Sequence, residues 1–158
     1  MKQEREVMPE KIKILFLCTG NSCRSQMAEG WARHLKGDSL EAWSAGTEPK
    51  ELDHRAVAAM AEVGIDISNQ RPKHVREVMD IVFDYVVTVC DHARETCPLF
   101  PGPVKRVHVG FEDPPFLARN AATEQEAMVA YRKVRDQIRA FVESLPESLP
   151  QLYSGQSQ

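Results

Sequence analysis

The stretch Leu15-Phe16-Leu17-Cys18-Thr19-Gly20-Asn21-Ser22-Cys23-Arg24-Ser25 constrains this chain more than any other. An apolar run from Ile12 to Leu17 stops abruptly at a cysteine. Small and polar residues follow, then Arg24 and Ser25, then the helix-forming run Gln26-Met27-Ala28-Glu29-Gly30-Trp31-Ala32. The order is strand, Cys-x5-Arg loop, helix. A loop of this kind curls around a tetrahedral oxyanion, with its backbone N–H groups and the helix N-terminus pointing inward. Thr19, Gly20, Asn21, Ser22, Cys23, Arg24 and Ser25 are then the oxyanion cradle. Arg24 closes it with a planar fork that matches two oxygens. Cys18 sits beneath, its thiolate favoured by the same positive field. The plainer alternative is a buried strand-end cysteine with an unrelated surface arginine. Spacing alone does not exclude that, because Cys-x5-Arg occurs by chance; the strand before and the helix after argue against it.

The length of 158 residues suits one domain with a real core. A net charge of −3 gives no electrostatic case for nucleic acid or a membrane surface. No run approaches the roughly 18 apolar residues of a membrane span. The start, Met1 to Glu10, is polar and lacks the apolar core of a signal peptide. The expectation is a cytoplasmic protein. Its 4 cysteines are then reduced at rest, and read as catalytic or metal-binding more than structural.

Residues 1–10 read as a flexible arm, 11–145 as the folded domain and 146–158 as a frayed tail. Lys11 to Leu17 has the unbroken apolar character of a parallel strand covered on both faces. The helix after the loop runs to about His34 or Leu35. Leu40 to Ser44 is a second strand. Asp53 is a plausible N-cap for a helix with Ala56, Val57, Met60 and Val63 on one face, stopped by Gly64. Pro72 suits the start of a small helix through Val78. Tyr85 to Val89, β-branched and unbroken, is the clearest strand. Asp91 to Cys97 is helix or loop, and prolines 98, 101 and 103 exclude regular structure after it. Val104 to Val109 is the fourth strand. Thr123-Glu124-Gln125-Glu126 reads as a capping box opening a last helix with Val134, Ile138, Phe141 and Val142 on one face. Strands alternating with helices imply a single α/β domain, a four-stranded parallel sheet flanked by helices. Ligands in such sheets bind beyond the carboxyl ends of the strands. Cys18, Cys90 and the loop of Asp113 all follow strand ends.

Asp113, in Glu112-Asp113-Pro114-Pro115, reads either as a general acid held over the pocket or as an ordinary Asp-Pro turn. The Cys18 to Arg24 motif favours the acid. Cys90 and Cys97 do not have zinc-knuckle spacing. They read as a redox pair on a mobile segment, or as two buried cysteines. Asn21 supports the loop through side-chain hydrogen bonds to backbone. Ser25 either donates to Cys18 or caps the helix. Cys23 is assigned no chemistry, and His54, His74 and His108 read as surface or packing residues.

At these residues the chain resembles the low-molecular-weight tyrosine phosphatase fold family, and within it the thioredoxin-coupled arsenate reductases. The matching text runs from Cys18 to Gly30 and includes Ser44-Ala45-Gly46, Gly64 to Ser68, Val87-Thr88-Val89-Cys90, Cys97-Pro98 and Gly110 to Pro114. Together it spans roughly residues 11–145. Phosphatases of this fold carry proline where Gln26 stands, aromatics after Asp-Pro, and no Cys90/Cys97 pair. The resemblance implies arsenic detoxification. Cys18 attacks arsenate held by the loop and Arg24, Asp113 protonates the departing oxygen, and Cys90 attacks Cys18 to expel arsenite. Cys97 then takes over the disulfide, and external thioredoxin reduces it. No bound cofactor and no metal are expected; phosphate and sulfate are expected as competing anions. Some such reductases hold a potassium ion at positions matching Asn21, Glu29 and Ser44 plus an aspartate, for which this chain has Lys73. The alternatives are an aryl-phosphate phosphatase needing only Cys18, Arg24 and Asp113, and a non-enzymatic thiol switch.

Overall fold

The computed structural model describes residues 10–156. Four strands, β1 (Ile12–Cys18), β2 (Leu40–Gly46), β3 (Tyr85–Thr88) and β4 (Lys105–His108), form one sheet in the order β2-β1-β3-β4. Every pairing is parallel. Central β1 explains its own sequence: Ile14, Leu15, Phe16 and Leu17 are all 0% exposed, as a strand between two neighbours and under helices requires. Burying each such side chain contributes roughly 1.5–3 kcal/mol. The register sets Cys18 beside Gly46, and Leu17 beside Thr88. The chain positions that follow β1 and β3 therefore emerge next to one another at the same sheet edge.

Among the described residues six α-helices flank the sheet: α1 (Arg24–Lys36), α2 (His54–Glu62), α3 (Asp91–Thr96), α4 (Pro114–Leu117), α5 (Glu124–Glu143) and α6 (Leu149–Gln156). The first, α1, packs on β1 and β2, while α5 packs on α1, α2 and α4. Polar anchors fix this layer. Trp31 Nε1 donates to the Arg135 carbonyl at 3.1 Å, and Tyr131 Oη donates to Asp53 Oδ2 at 2.5 Å. Asp53 also caps α2 as its sequence position suggests, accepting from Arg55 N at 2.9 Å. None of the described helices is long and apolar enough to cross a membrane.

Three local expectations change. The turn after Pro72 is a 3-10 helix at Val75–Val78, opened by His74, whose Nδ1 accepts from Arg76 N, and not by the proline. At α5 the Thr123 hydroxyl does accept from Glu126 N at 3.1 Å, but the Glu126 carboxylate takes the Ala122 N–H instead of closing the box. The tail expected to fray from 146 onward contains α6, which packs on β4 with Leu149 buried. Its Gln156 amide pairs with the backbone of the edge strand, accepting from His108 N at 2.7 Å and donating to the His108 carbonyl at 2.8 Å. A side chain thus occupies hydrogen-bonding groups that an edge strand otherwise leaves open. The N-terminal arm read at 1–10 lies outside the described residues except for Glu10, and so do the last two residues of the tail.

Candidate active site

The loop from Cys18 to Arg24 owes its shape to the segment that follows β2. Thr47 N, Glu48 N, Lys50 N and Asp53 N donate to the carbonyls of Cys18, Thr19, Gly20 and Ser22 at 3.3, 2.8, 2.9 and 2.9 Å. In a trans peptide the N–H lies opposite the C=O. Turning these carbonyls outward therefore turns the N–H groups of Thr19, Gly20, Asn21 and Cys23 inward. The Asn21 N–H is directed at the Cys18 sulfur. Two backbone features permit the curl. Asn21 takes φ 49°, in the left-handed region that asparagine tolerates better than most residues. At Gly46 a Cβ would sit 2.5 Å from the Thr19 carbonyl oxygen, so only glycine lets β2 approach the loop this closely. Helix α1 begins at Arg24 without a side-chain cap, so its first turn faces the same cavity with N–H groups that no cap has taken.

That cavity measures about 390 Å³ and is lined by Cys18, Thr19, Gly20, Ser22, Cys23, Arg24 and Asp113, all singled out by sequence, and by Lys50 and Pro115, which were not. Arg24 is held from above: Nη1 donates to the Phe111 carbonyl at 2.8 Å and Nη2 stands 3.6 Å from Asp113 Oδ1. The Asp113 carboxyl precedes α4, makes no capping bond to it, and remains 45% exposed at the mouth. It is therefore free to exchange a proton with a ligand. Lys50 adds a second cationic side chain at the rim.

Below the loop lies a buried polar layer. Asn21 Nδ2 donates to Ser25 Oγ at 2.9 Å, its Oδ1 accepts from Lys73 N at 2.9 Å, and Gln26 Nε2 donates to the Asn21 carbonyl at 2.9 Å. Asn21 thus supports the loop, and Ser25 Oγ takes part in that support by accepting from it. Deeper, Ser44 Oγ donates to Glu29 Oε1 at 2.7 Å. Arg33 Nη1 lies 3.1 Å from Glu29 Oε2, and Lys73 Nζ lies 3.9 Å from Glu29 Oε1. Burial lowers the Lys73 pKa, and Glu29 opposes that shift. With an ammonium already facing the carboxylate and no aspartate present, these residues do not fit a potassium ion. Among the described residues no group of three or more His, Cys, Asp and Glu could hold a metal.

The thiols depart from expectation in one respect. Cys18 and Cys90 meet in hydrogen-bonding contact inside the protein, and two thiols so close cannot both ionise. The bond it gives Cys90 raises the Cys18 pKa most, then burial and the Cys90 charge, against Arg24 and the Asn21 N–H, which lower it. Cys90 is lowered to about 4 by the same bond, with help from Thr19, the Ala93 N–H and Arg24 and against burial. The two thiols therefore share one proton and carry a single negative charge between them, which Arg24, Thr19 and the inward N–H groups favour. Thr19 Oγ1 lies 3.3 Å from Cys90 Sγ. Cys23, 3% exposed, is pushed up by burial first and then by the carboxylate of Asp53, which suits an inert thiol. Cys97, half-buried at the end of α3, is pushed up by burial and pulled down by Arg106. His108, expected to be bland, bonds Thr88 Oγ1 at 2.8 Å and Asp91 Oδ1 at 3.1 Å.

The chain is 51% identical over 131 residues to the arsenate reductase of Bacillus subtilis, which covers 83% of this chain and 91% of that one. A solved arsenate reductase in the phosphate-binding state superposes with a TM-score of 0.64 at 31% identity, over 89% of this chain and 98% of that one. The low molecular weight protein tyrosine phosphatase of T. tengcongensis gives a TM-score of 0.69 at 29% identity, over 87% and 99%. The model of the low molecular weight phosphotyrosine protein phosphatases matches residues 13–154. With that match spanning most of the chain and a relative at 51% identity beside it, the chain belongs to the low molecular weight phosphotyrosine protein phosphatase family.

Proposed function

We infer that this enzyme is an arsenate reductase, converting arsenate to arsenite with electrons drawn from its own thiols. The observation that carries this over a phosphatase is Cys90 beside Cys18 behind the loop, its sulfur 3.3 Å from the Thr19 hydroxyl. Phosphoryl transfer has no use for a second thiol there; disulfide chemistry needs one.

Arsenate enters the cradle with its oxygens on the loop N–H groups and the Arg24 fork. The Cys18 proton passes to Cys90 along the bond the two share, which leaves Cys18 as thiolate beneath the arsenic. Attack forms a sulfur–arsenic bond, and one oxygen leaves as water with a proton from Asp113. Cys90 loses the proton taken from Cys18 to solvent and attacks the Cys18 sulfur. The sulfur–arsenic bond breaks with its electron pair on arsenic, so arsenic falls from +5 to +3 while Cys18 and Cys90 are oxidised to a disulfide. The charge-stabilising neighbours of Cys90 also make it a good leaving group in later exchange. Cys97 attacks Cys90 and frees Cys18. The new Cys90–Cys97 disulfide spans α3, a short helix whose residues are mostly exposed, and so reaches a reductant that cannot enter the cavity. The dithiol of thioredoxin reduces it. Phosphate and sulfate, of the same shape, compete for the cradle. Nothing in this scheme needs a bound cofactor, and the setting is the cytoplasm, where thioredoxin is kept reduced.

The test is NADPH oxidation through thioredoxin and its reductase, with arsenate present and absent. Arsenate-dependent oxidation that Cys90→Ser abolishes supports the reductase. An aryl phosphatase activity that survives Cys90→Ser, with no arsenate-dependent oxidation, overturns it.

A further inference from the structure

Strand β4 presents alternate residues to the two ends of α3. Arg106 and His108 stand two apart, so their side chains leave the same face of the strand. His108 Nε2 lies 3.1 Å from Asp91 Oδ1 at the first residue of α3, with its other ring nitrogen 2.8 Å from Thr88 Oγ1. At the far end of α3, Cys97 and Arg106 line one groove of about 200 Å³, together with Arg94 and Gln156. Among the described residues no carboxylate lines that groove, so no acid there competes for the guanidinium. Cys97 Sγ also reaches the Pro98 carbonyl, at a long 3.6 Å.

We propose that Arg106 is a positioning residue for the last intramolecular step, holding the Cys97 sulfur ready to attack Cys90. This rests on the relay above. In that step the Cys97–Cys90 bond forms, the Cys18–Cys90 bond breaks, and Cys18 leaves as thiolate into the field of Arg24. No electrons are gained or lost overall, and the Cys97 proton goes to solvent through the groove. Only the thiolate attacks, and burial works against it at Cys97; the adjacent guanidinium works for it. The His108–Asp91 bond ties β4 to the start of α3, which keeps the cation near the thiol at its other end. The size of the effect is bounded. A thiol made one pH unit more acidic gains about tenfold in thiolate at neutral pH but loses about threefold in nucleophilicity, for a net gain of about threefold.

The test uses the full chain as Arg106→Gln and Arg106→Lys. The reduced proteins are alkylated with iodoacetamide across pH and Cys97 labelling is read by peptide mass. Separately, one equivalent of arsenate is added and two rates are followed: arsenite release, and conversion of Cys18–Cys90 to Cys90–Cys97. Arg106→Gln should move the Cys97 midpoint up and slow the conversion, by about threefold for each pH unit moved. Arsenite release should stay at the wild-type rate, and Arg106→Lys should recover most of the conversion. An unmoved midpoint, or slowing of both steps together, overturns the role of Arg106. Cys97→Ser run beside them separates the two claims: sustained turnover by that variant overturns the relay and with it the step given to Arg106, whereas a stop after one turnover beside an unmoved midpoint in Arg106→Gln overturns Arg106 alone.

Discussion

The Thr19 hydroxyl stands 3.3 Å from the Cys90 sulfur, so the first residue of the anion loop holds the thiol that follows β3. The contact exists because β1 and β3 are hydrogen-bonded neighbours ending at the same edge, with Val89 N donating to the Leu17 carbonyl at 2.9 Å. A parallel sheet in which these strands were separated would leave Cys90 without access to Cys18.

The first prediction concerns which thiol is charged. Cys90 is lowered and Cys18 raised by the bond they share, so in the ligand-free enzyme iodoacetamide should still label Cys90 below the pH at which an ordinary thiol is protonated. Cys18 should titrate above the ordinary thiol value of about 8.5. Thr19→Val should raise the Cys90 midpoint by removing one stabilising hydrogen bond. Preferential labelling of Cys18 with a midpoint below 7 would contradict the shared-proton pair.

Arg24 and Asp113 should separate binding from chemistry. Asp113→Asn should lower turnover by roughly 10²–10⁴-fold with a smaller change in phosphate inhibition. Arg24→Lys keeps the charge but loses the fork and the bond to the Phe111 carbonyl, so phosphate inhibition should weaken clearly. Equal, small effects in both variants would move the chemistry out of this cavity.

Lys73 should make the enzyme indifferent to the choice of monovalent cation. Its ammonium lies 3.9 Å from Glu29 Oε1, where a bound cation would otherwise balance the buried carboxylate. Tm in potassium and sodium chloride at equal ionic strength should agree for the wild type. Lys73→Asp puts a second carboxylate beside Glu29 and should make Tm rise with potassium concentration. A potassium-specific rise in the wild type would refute the substitution of ammonium for ion.

What the sequence revealed and what it hid follow from the range of the interactions. The apolar run ending at Cys18 and the Asp53 cap are local signals, and both are realised as expected. Lys50 was missed because it enters the cavity only through the pairing of the 47–53 segment with the loop, which no short pattern encodes. Helix α6 leaves no local signal because it is short, and its decisive contact joins Gln156 to backbone groups of His108 across 48 positions. His108 carried no motif, since its partners Thr88 and Asp91 come from another strand and another helix. The sharing of a proton between Cys18 and Cys90 was hidden for the same reason: the strand ends point to their proximity, but only the fold shows the bond between them.

Acid stability should depend on the α2–α5 clasp. Arg132 first, and Arg135, hold Glu62 at about 2, below its ordinary 4.5, against the opposing effect of burial. The unfolded chain then binds more protons than the native one between these values, so stability rises with pH across that window and is lost as pH falls through it. The pair with Arg132 is 38–41% exposed, which solvent screening reduces. Glu62→Gln should flatten the acid limb of the stability curve between about pH 4.5 and 2, measured by urea denaturation. An unchanged limb would remove Glu62 from the acid response.

The relay is tested most directly by counting arsenite from Cys97→Ser. Mixed with excess arsenate and thioredoxin as sole reductant, this variant should release about one arsenite per enzyme and stop. Peptide mapping should find it trapped as Cys18–Cys90, while wild type given one equivalent of arsenate should carry Cys90–Cys97. Continued release of arsenite over many turnovers by Cys97→Ser would contradict the three-thiol account and leave Cys90 reduced directly by the partner.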